Sequence, residues 1–136
     1  MPDKYNLQPP QQRAAAQTLI ESVFAADAAR DLDGFMALLA PDITLRLGSQ
    51  PELHGQAAVR AAIGGLFGML AGGIQHRLIA VWGGGDVLAY QAEAAFSLQG
   101  GRSVTLPYVN VLRMASDGLV AEYRIHIDPA PLFQPG

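Results

Sequence analysis

Three helical segments followed by a four-stranded meander, with one early strand set between helices, predict an α+β fold for this chain. Apolar residues recur at three-and-four spacing up to about Leu70, then at alternate positions from Ile74 onward. The later segments are joined by short stretches rich in Gly, Asp and Ser, residues that suit hairpin turns. A length of 136 residues is close to the commonest domain size, so a single domain spanning residues 1–136 is expected.

Gln11 to Ala29 reads as a helix with Leu19, Ile20, Val23 and Phe24 on one face. Asp31-Leu32-Asp33-Gly34 opens a second, short helix carrying Leu32, Phe35, Met36 and Leu39, which Pro41 is expected to stop. Asp42 to Leu47 alternates Ile43, Leu45 and Leu47 with Thr44 and Arg46, the pattern of a half-buried strand. A loop holding Gly48, Pro51 and Gly55 follows. Gln56 to about Leu70 forms a third helix with Val59, Ile63, Leu66, Phe67 and Leu70 on its stripe. Gly64, Gly65 and Gly68 weaken it by about 1 kcal/mol each relative to alanine, and close packing against a sheet is the expected compensation. Strands are then expected at Ile74–Trp82, Val87–Leu98, Ser103–Met114 and Leu119–Ile127. The Asp128-Pro129-Ala130-Pro131-Leu132-Phe133 tail cannot continue a strand and is expected to fold back as a plug.

Composition narrows the function classes. Only 15% of residues are charged and the formal net charge is -3, without a Lys/Arg run, so nucleic acid is not expected as a partner. The absence of cysteine removes thiol nucleophiles, disulfides and cysteine-held metals, and fits a cytoplasmic location. The polar start, Met1 to Arg13, has no apolar core of a signal peptide, and the richest apolar stretch is broken by Arg60 and glycines, so no membrane span is expected. The three histidines lack paired spacing, so no metal is expected; Gly83-Gly84-Gly85 precedes a strand instead of a helix and cannot cradle a phosphate. No cofactor is expected. Val87–Phe96 is apolar on both faces, which an antiparallel strand with one wet face should not be. A homodimer formed through the outer face of the sheet would cover it.

The order of these elements, with the segments Phe35-Met36-Ala37-Leu38-Leu39-Ala40-Pro41-Asp42, His54-Gly55-Gln56-Ala57-Ala58-Val59-Arg60 and Asp117-Gly118-Leu119-Val120-Ala121-Glu122-Tyr123-Arg124, resembles the SnoaL-like branch of the nuclear-transport-factor-2-like superfamily. The resemblance covers about Gln12 to Phe133. It implies three helices packed on a strongly curved, mostly antiparallel sheet that closes into a cone, a cystatin-like α+β barrel, around a pocket for a small ligand. Isomerases, dehydratases, cyclases, epoxide hydrolases and binding proteins share that superfamily, so fold leaves function open.

Period two places Leu106, Tyr108, Asn110 and Leu112 on one face, and Tyr123, Ile125 and Ile127 on one face of the last strand. These faces suit a small apolar ligand. Tyr90, Tyr108, Tyr123, Ile125, Trp82 and Phe67 are the candidate ligand-binding wall. By resemblance to ketosteroid isomerase, whose protonated acid is a worked case of an oxyanion donor, Asn110 falls at the donor position; its structural alternative is a core amide that satisfies backbone. The resemblance fails at the base: that enzyme's aspartate would fall on Asp42–Leu47, where this chain has Thr44, Leu45 and Arg46. The acid that SnoaL-branch cyclases keep on the last strand aligns with Ile125.

Other candidates for moving a proton are His126, Asp128 and His76. His126 and Asp128 share a face with Glu122 and Arg124, so a carboxylate could orient the imidazole, or the set could be an outward charged face with Asp128 capping the Pro129 turn. His76 would share its face with Leu78, Ala80 and Trp82, as a base or as a hydrogen-bonded core histidine. Glu93 is expected outside, in an ion pair at the dimer contact. Two functions are consistent with these residues: a cofactor-independent isomerase, cyclase, dehydratase or hydrolase acting on a small hydrophobic molecule, or a non-catalytic ligand-binding or dimeric accessory protein. An inward acid–base pair separates them.

Overall fold

Residues 10–134 are described in a computed structural model of the chain, with side chains from Ala14 onward. The first apolar stripe folds as a long helix, α1 (Pro10–Ala29), which buries Ala16, Ile20, Val23 and Ala26. Arg30 ends it in the left-handed region at φ 50°, and the Asp31 carboxylate accepts from the Gly34 amide at 2.9 Å to cap α2 (Leu32–Met36). The first long strand, β1 (Leu39–Leu47), begins before Pro41 instead of after it. Its pairing shifts register between Leu39 and Thr44, an irregular stretch that accommodates a residue with no N–H to give. Gln56 ties that stretch down by donating to the Leu39 and Ala40 carbonyls at 3.2 and 3.0 Å.

A two-residue strand, β2 (Leu53–His54), pairs with Thr44 and Leu45 where only a loop was expected. Helix α3 (Gln56–Met69) buries Val59, Ile63 and Phe67 as its spacing predicts. Its glycines correct the expected packing. A Cβ on Gly64 would sit 3.2 Å from Leu32 of α2, whereas Gly65 and Gly68 face open space. Close approach to the sheet therefore explains none of the three.

The meander strands are β3 (Gln75–Gly84), β4 (Val87–Ser97), β5 (Ser103–Met114) and β6 (Val120–Ile127). They join β1 and β2 in one six-stranded curved sheet of order β2-β1-β6-β5-β4-β3, in which only β1 and β6 run parallel. Alternation is kept along β4 and β5: Leu88, Tyr90, Ala92, Ala94 and Phe96 are buried, as are Leu106, Tyr108, Asn110 and Leu112. Tyr90 stands opposite Asn110 and Ala92 opposite Tyr108. The helices cover this face, α1 against β3 and α3 against β1, so the core lies between them and the sheet.

β3 breaks the parity assumed from sequence. Leu78 pairs with Ala92 but Ala80 pairs with Gln91, so Ile79 is an extra residue and every later side chain changes face. Val81 is fully buried beside Tyr90, and Trp82, opposite Ala89, goes to the outer face. Glu93 pairs with Arg77 of its own chain at 2.6 Å, across the β3–β4 ladder. The tail folds back as a one-turn helix, α4 (Ala130–Phe133), held by Arg102 through the Pro131 and Gln134 carbonyls. Leu132 is buried in the core and Phe133 is 63% exposed, so the turn anchors the tail through one side chain. No described helix is long and apolar enough to cross a membrane.

The end of α1 and the start of β3 are joined at a close seam, where the Ile74 amide donates to the Asp27 carbonyl at 3.0 Å. Gly73 makes that approach: a Cβ there would lie 1.8 Å from the Ala28 carbonyl oxygen. The seam brings the Asp27 side chain over the first residues of β3.

Candidate active site

His76, the second residue of β3, lies at the centre of a three-residue chain. Its Nε2 is 2.7 Å from Asp27 Oδ2 on α1, and its Nδ1 is 2.6 Å from the Tyr108 hydroxyl on β5. The Phe24 ring stacks on the imidazole with centroids 4.4 Å apart and planes 6° from parallel. Side chains of His76 and Asp27 are only 8% and 12% exposed, so the pair is sheltered from competing water. An ionised carboxylate only accepts, which fixes the proton of a neutral imidazole on Nε2 and leaves Nδ1 to accept from Tyr108. Asp27 thus sets the direction of the whole chain.

Tyr90, Tyr108 and Tyr123 surround the next polar group, Asn110. Loss of water pushes the Tyr90 phenol up to about 12, against hydrogen bonds from Tyr123 and Asn110 that lower it. Burial, followed by the neighbouring Tyr90 and Asp27, raises Tyr108 well above the ordinary phenol range, and burial raises Tyr123 likewise. All three stay protonated at neutral pH. Asn110 Nδ2 donates to the Tyr90 oxygen at 2.9 Å and reaches the Tyr123 oxygen at 3.5 Å, while Oδ1 has no partner.

Between helices and sheet lies a cavity of about 60 Å³ walled by Val23, Phe35, Phe67, Ile74, Phe96 and Ile125, among others. Its polar wall is Asp27, His76, Tyr108, Asn110 and Tyr123. The arrangement puts the hydrogen-bonded chain Asp27–His76–Tyr108 against an apolar space, a combination that suits acid–base work on an apolar molecule.

Of the residues expected in the site, His76, Tyr108, Asn110, Tyr123, Ile125 and Phe67 meet at this cavity. Tyr90 is 0% exposed and stands behind Asn110 instead of in the wall. Trp82 is carried to the outer face by the bulge at Ile79 and cannot bind a ligand in the cavity. His126 is exposed and borders an open outer cleft with Arg46, Ser49 and Arg124. Asp128 is exposed and accepts from the Ala130 amide at 3.1 Å, a turn cap. Neither reaches the cavity, because β6 sends Tyr123, Ile125 and Ile127 inward and its even positions out. Asn110 Nδ2 lies on the tyrosine oxygens, and the amide atom left without a partner is the acceptor Oδ1.

Asp27 was not among the expected residues. It follows Val23 by four residues and Ile20 by seven, so it continues the buried stripe of α1, and a carboxylate on an apolar stripe was the readable signal. Among the described residues no group of three or more His, Cys, Asp or Glu side chains is arranged to hold a metal ion.

A family model described as SnoaL-like domain matches residues 20–123. No curated protein sequence matches the chain. Among solved structures, an NTF2-like protein of unknown function from Burkholderia pseudomallei superposes with a TM-score of 0.75 at 23% identity, covering 88% of this chain and 95% of that one. A protein provisionally assigned as a SnoaL-like polyketide cyclase, from Jannaschia sp. CCS1, gives 0.74 at 21% identity, with coverage of 88% and 90%. An LEH-like epoxide hydrolase from Mycobacterium tuberculosis gives 0.72 at 18%, with coverage of 88% and 87%. At these identities the likeness speaks for the fold, and the family model for membership. The chain belongs to the SnoaL-like domain family and has the nuclear-transport-factor-2-like cone fold.

Proposed function

We propose that this chain is a cofactor-independent acid–base enzyme whose cavity takes a small, largely apolar molecule and moves one of its protons through Tyr108, His76 and Asp27. The observation that carries the reading is His76 held at 2.6 and 2.7 Å between a cavity-wall phenol and a sheltered carboxylate. In the forward step the Tyr108 oxygen takes a proton from substrate while the Tyr108 hydroxyl proton passes to His76 Nδ1. The imidazolium so formed faces the Asp27 carboxylate, which stabilises it and does not itself need to be protonated. Returning the proton to a different substrate atom completes an isomerisation; returning it to a leaving oxygen completes a dehydration.

Burial makes a free tyrosinate at position 108 inaccessible near neutrality, so transfer through the phenol must be concerted. The cavity is smaller than the roughly 300–1,000 Å³ usual for drug-sized ligands, so substrate entry must displace wall side chains. Helix α3 supports that opening, because it contributes Ile63, Leu66 and Phe67 to the wall and is weakened by its glycines.

Exchange of the α-protons of 2-tetralone in D2O, followed by nuclear magnetic resonance, tests proton transfer without knowledge of the natural reaction. Catalysed exchange that disappears in His76→Gln and Tyr108→Phe is the expected result. Binding of the ketone with no exchange would favour the accessory, ligand-binding role in the same cavity.

A homodimer through the outer face of the sheet is also proposed. It is supported by Trp82, Ala89, Ala95, Val109 and Val111, which share that face and are only partly buried by their own chain. A monomer at micromolar concentration in sedimentation would rule it out.

A further inference from the structure

Among the described residues, Asn110 Oδ1 is the single buried side-chain polar atom without a hydrogen-bond partner. The residue is 4% exposed and belongs to the cavity wall. A buried acceptor left unmatched is costly and rare, and here the amide nitrogen is the atom turned to the tyrosine oxygens, 2.9 Å from Tyr90 and 3.5 Å from Tyr123, so Oδ1 is the atom left for a ligand. The donors of the same wall, His76, Tyr108 and Tyr123, make no hydrogen bond to Oδ1, and the rest of the lining, Val23, Phe35, Phe67, Phe96 and Ile125 among it, has no side-chain donor to give.

We propose that the cavity takes a ligand bearing a hydroxyl or a comparably compact N–H donor, which it binds by donating to Asn110 Oδ1. This rests on the reading of the cavity as a ligand site and names the class of molecule that fits it. Asn110 lies two residues beyond Tyr108 on the same face of β5, about 7 Å along the strand. The anchoring hydroxyl is therefore a different group from the one that exchanges a proton with Tyr108. The substrate class is an apolar molecule with a hydroxyl or compact N–H donor at one end, held there by the amide and worked on at the other by the phenol.

Three probes of one shape class test this: 2-naphthol, 2-methoxynaphthalene, which keeps the oxygen but lacks the donor, and naphthalene. Calorimetric or fluorescence titration of the full chain is expected to give about tenfold tighter binding of 2-naphthol than of either other probe. Asn110→Leu is expected to erase that preference and still bind naphthalene; Asn110→Asp, which keeps an acceptor oxygen, is expected to retain it. Equal affinities, or a preference for the methoxy compound, overturn the proposal and leave the ligand site standing. A hydroxyl preference that survives Asn110→Leu also overturns it, since another residue would then be the acceptor. Failure of all three probes to bind overturns the ligand-site reading together with the proposal. The comparison within the wild-type chain decides the matter even where Asn110→Leu does not fold.

Discussion

Replacing Asp27 with asparagine separates a proton relay from a structural hydrogen bond. The two side chains keep nearly the same shape, and the contact removed is the 2.7 Å pairing of Asp27 Oδ2 with His76 Nε2, at side-chain exposures of 12% and 8%. A hydrogen bond to an ionised partner in such shelter is worth about 1.5–3 kcal/mol, against about 0.5–1.5 kcal/mol for a neutral one. The difference, about 1–2 kcal/mol, falls on the imidazolium that exists only after Tyr108 has passed its proton on. Exchange should therefore slow about fivefold to thirtyfold. If the amide instead turns its N–H2 to Nε2, the tautomer inverts, Nδ1–H points at the Tyr108 oxygen, and the loss is larger. The assay is 2-tetralone exchange with wild type and Asp27→Asn side by side, with the His76 tautomer read from its ring 15N shifts and naphthalene affinity as a control for the cavity. Unchanged exchange in a correctly folded Asp27→Asn would show that the carboxylate merely fastens α1 to β3.

Alkaline pH tests the tyrosine cluster, because burial raises Tyr90 from 10 to about 12 and lifts Tyr108 and Tyr123 well above the ordinary phenol range too. Their contribution is fully present below pH 10; above it the unfolded chain releases phenol protons that the folded chain keeps, so stability falls by about 1.4 kcal/mol per pH unit from Tyr90 alone. Urea unfolding at pH 8 to 11 checks the slope, and ionisation of Tyr90, Tyr108 and Tyr123 near 10, read by absorbance of the native Tyr5→Phe chain, would contradict it. Gly73→Ala should destabilise by about 1–3 kcal/mol or more, because its Cβ would meet the Ala28 carbonyl oxygen at 1.8 Å between two backbones, and it should slow exchange by moving Asp27 from His76. An unchanged urea midpoint would refute the close seam. Gly65→Ala and Gly68→Ala, whose new methyl groups would face open space, should each stabilise α3 by up to about 1 kcal/mol in the same measurement.

Elements with long periodic runs were readable from sequence, because burial itself writes the period. β5 has the bounds its alternation predicts, and the inward set Leu106, Tyr108, Asn110 and Leu112 is buried as a group. Pairing irregularities were not readable. The bulge at Ile79 leaves no composition signal, yet it turns Trp82 out and Val81 in. The short β2 owes its existence to an edge offered by Thr44 and Leu45, and no local preference of Leu53 and His54 marks it. The site was half legible for the same reason. Single-strand parity brings Tyr108 and Asn110 together, but the partnership of His76 with Asp27 spans 49 positions and depends on how α1 docks.

That docking bears on where the chemistry of this chain can lie. Resemblance to ketosteroid isomerase directs attention to β1 for a base, and β1 has Thr44, Leu45 and Arg46 where a carboxylate would be needed. In the proposed relay the carboxylate comes instead from α1 and would act at one remove, since His76 stands between it and the phenol. Such an arrangement suits a buried tyrosine. A phenol whose ionisation is suppressed by burial can still accept a proton if it gives its own away in the same step, and for that the receiving nitrogen must be bare and already in line. In the proposed relay Asp27 would keep Nδ1 bare by holding a proton on Nε2, while Phe24 stacks on the ring and Gly73 lets the α1–β3 seam close far enough for both. Variation in α1 around Phe24 and Asp27 should accordingly alter proton transfer more than variation of equal size on β1, although β1 lies in the same sheet as Tyr108. Comparing 2-tetralone exchange in Phe24→Leu and Thr44→Val, matched for stability, decides this; a larger loss from the strand substitution would return the chemistry to β1.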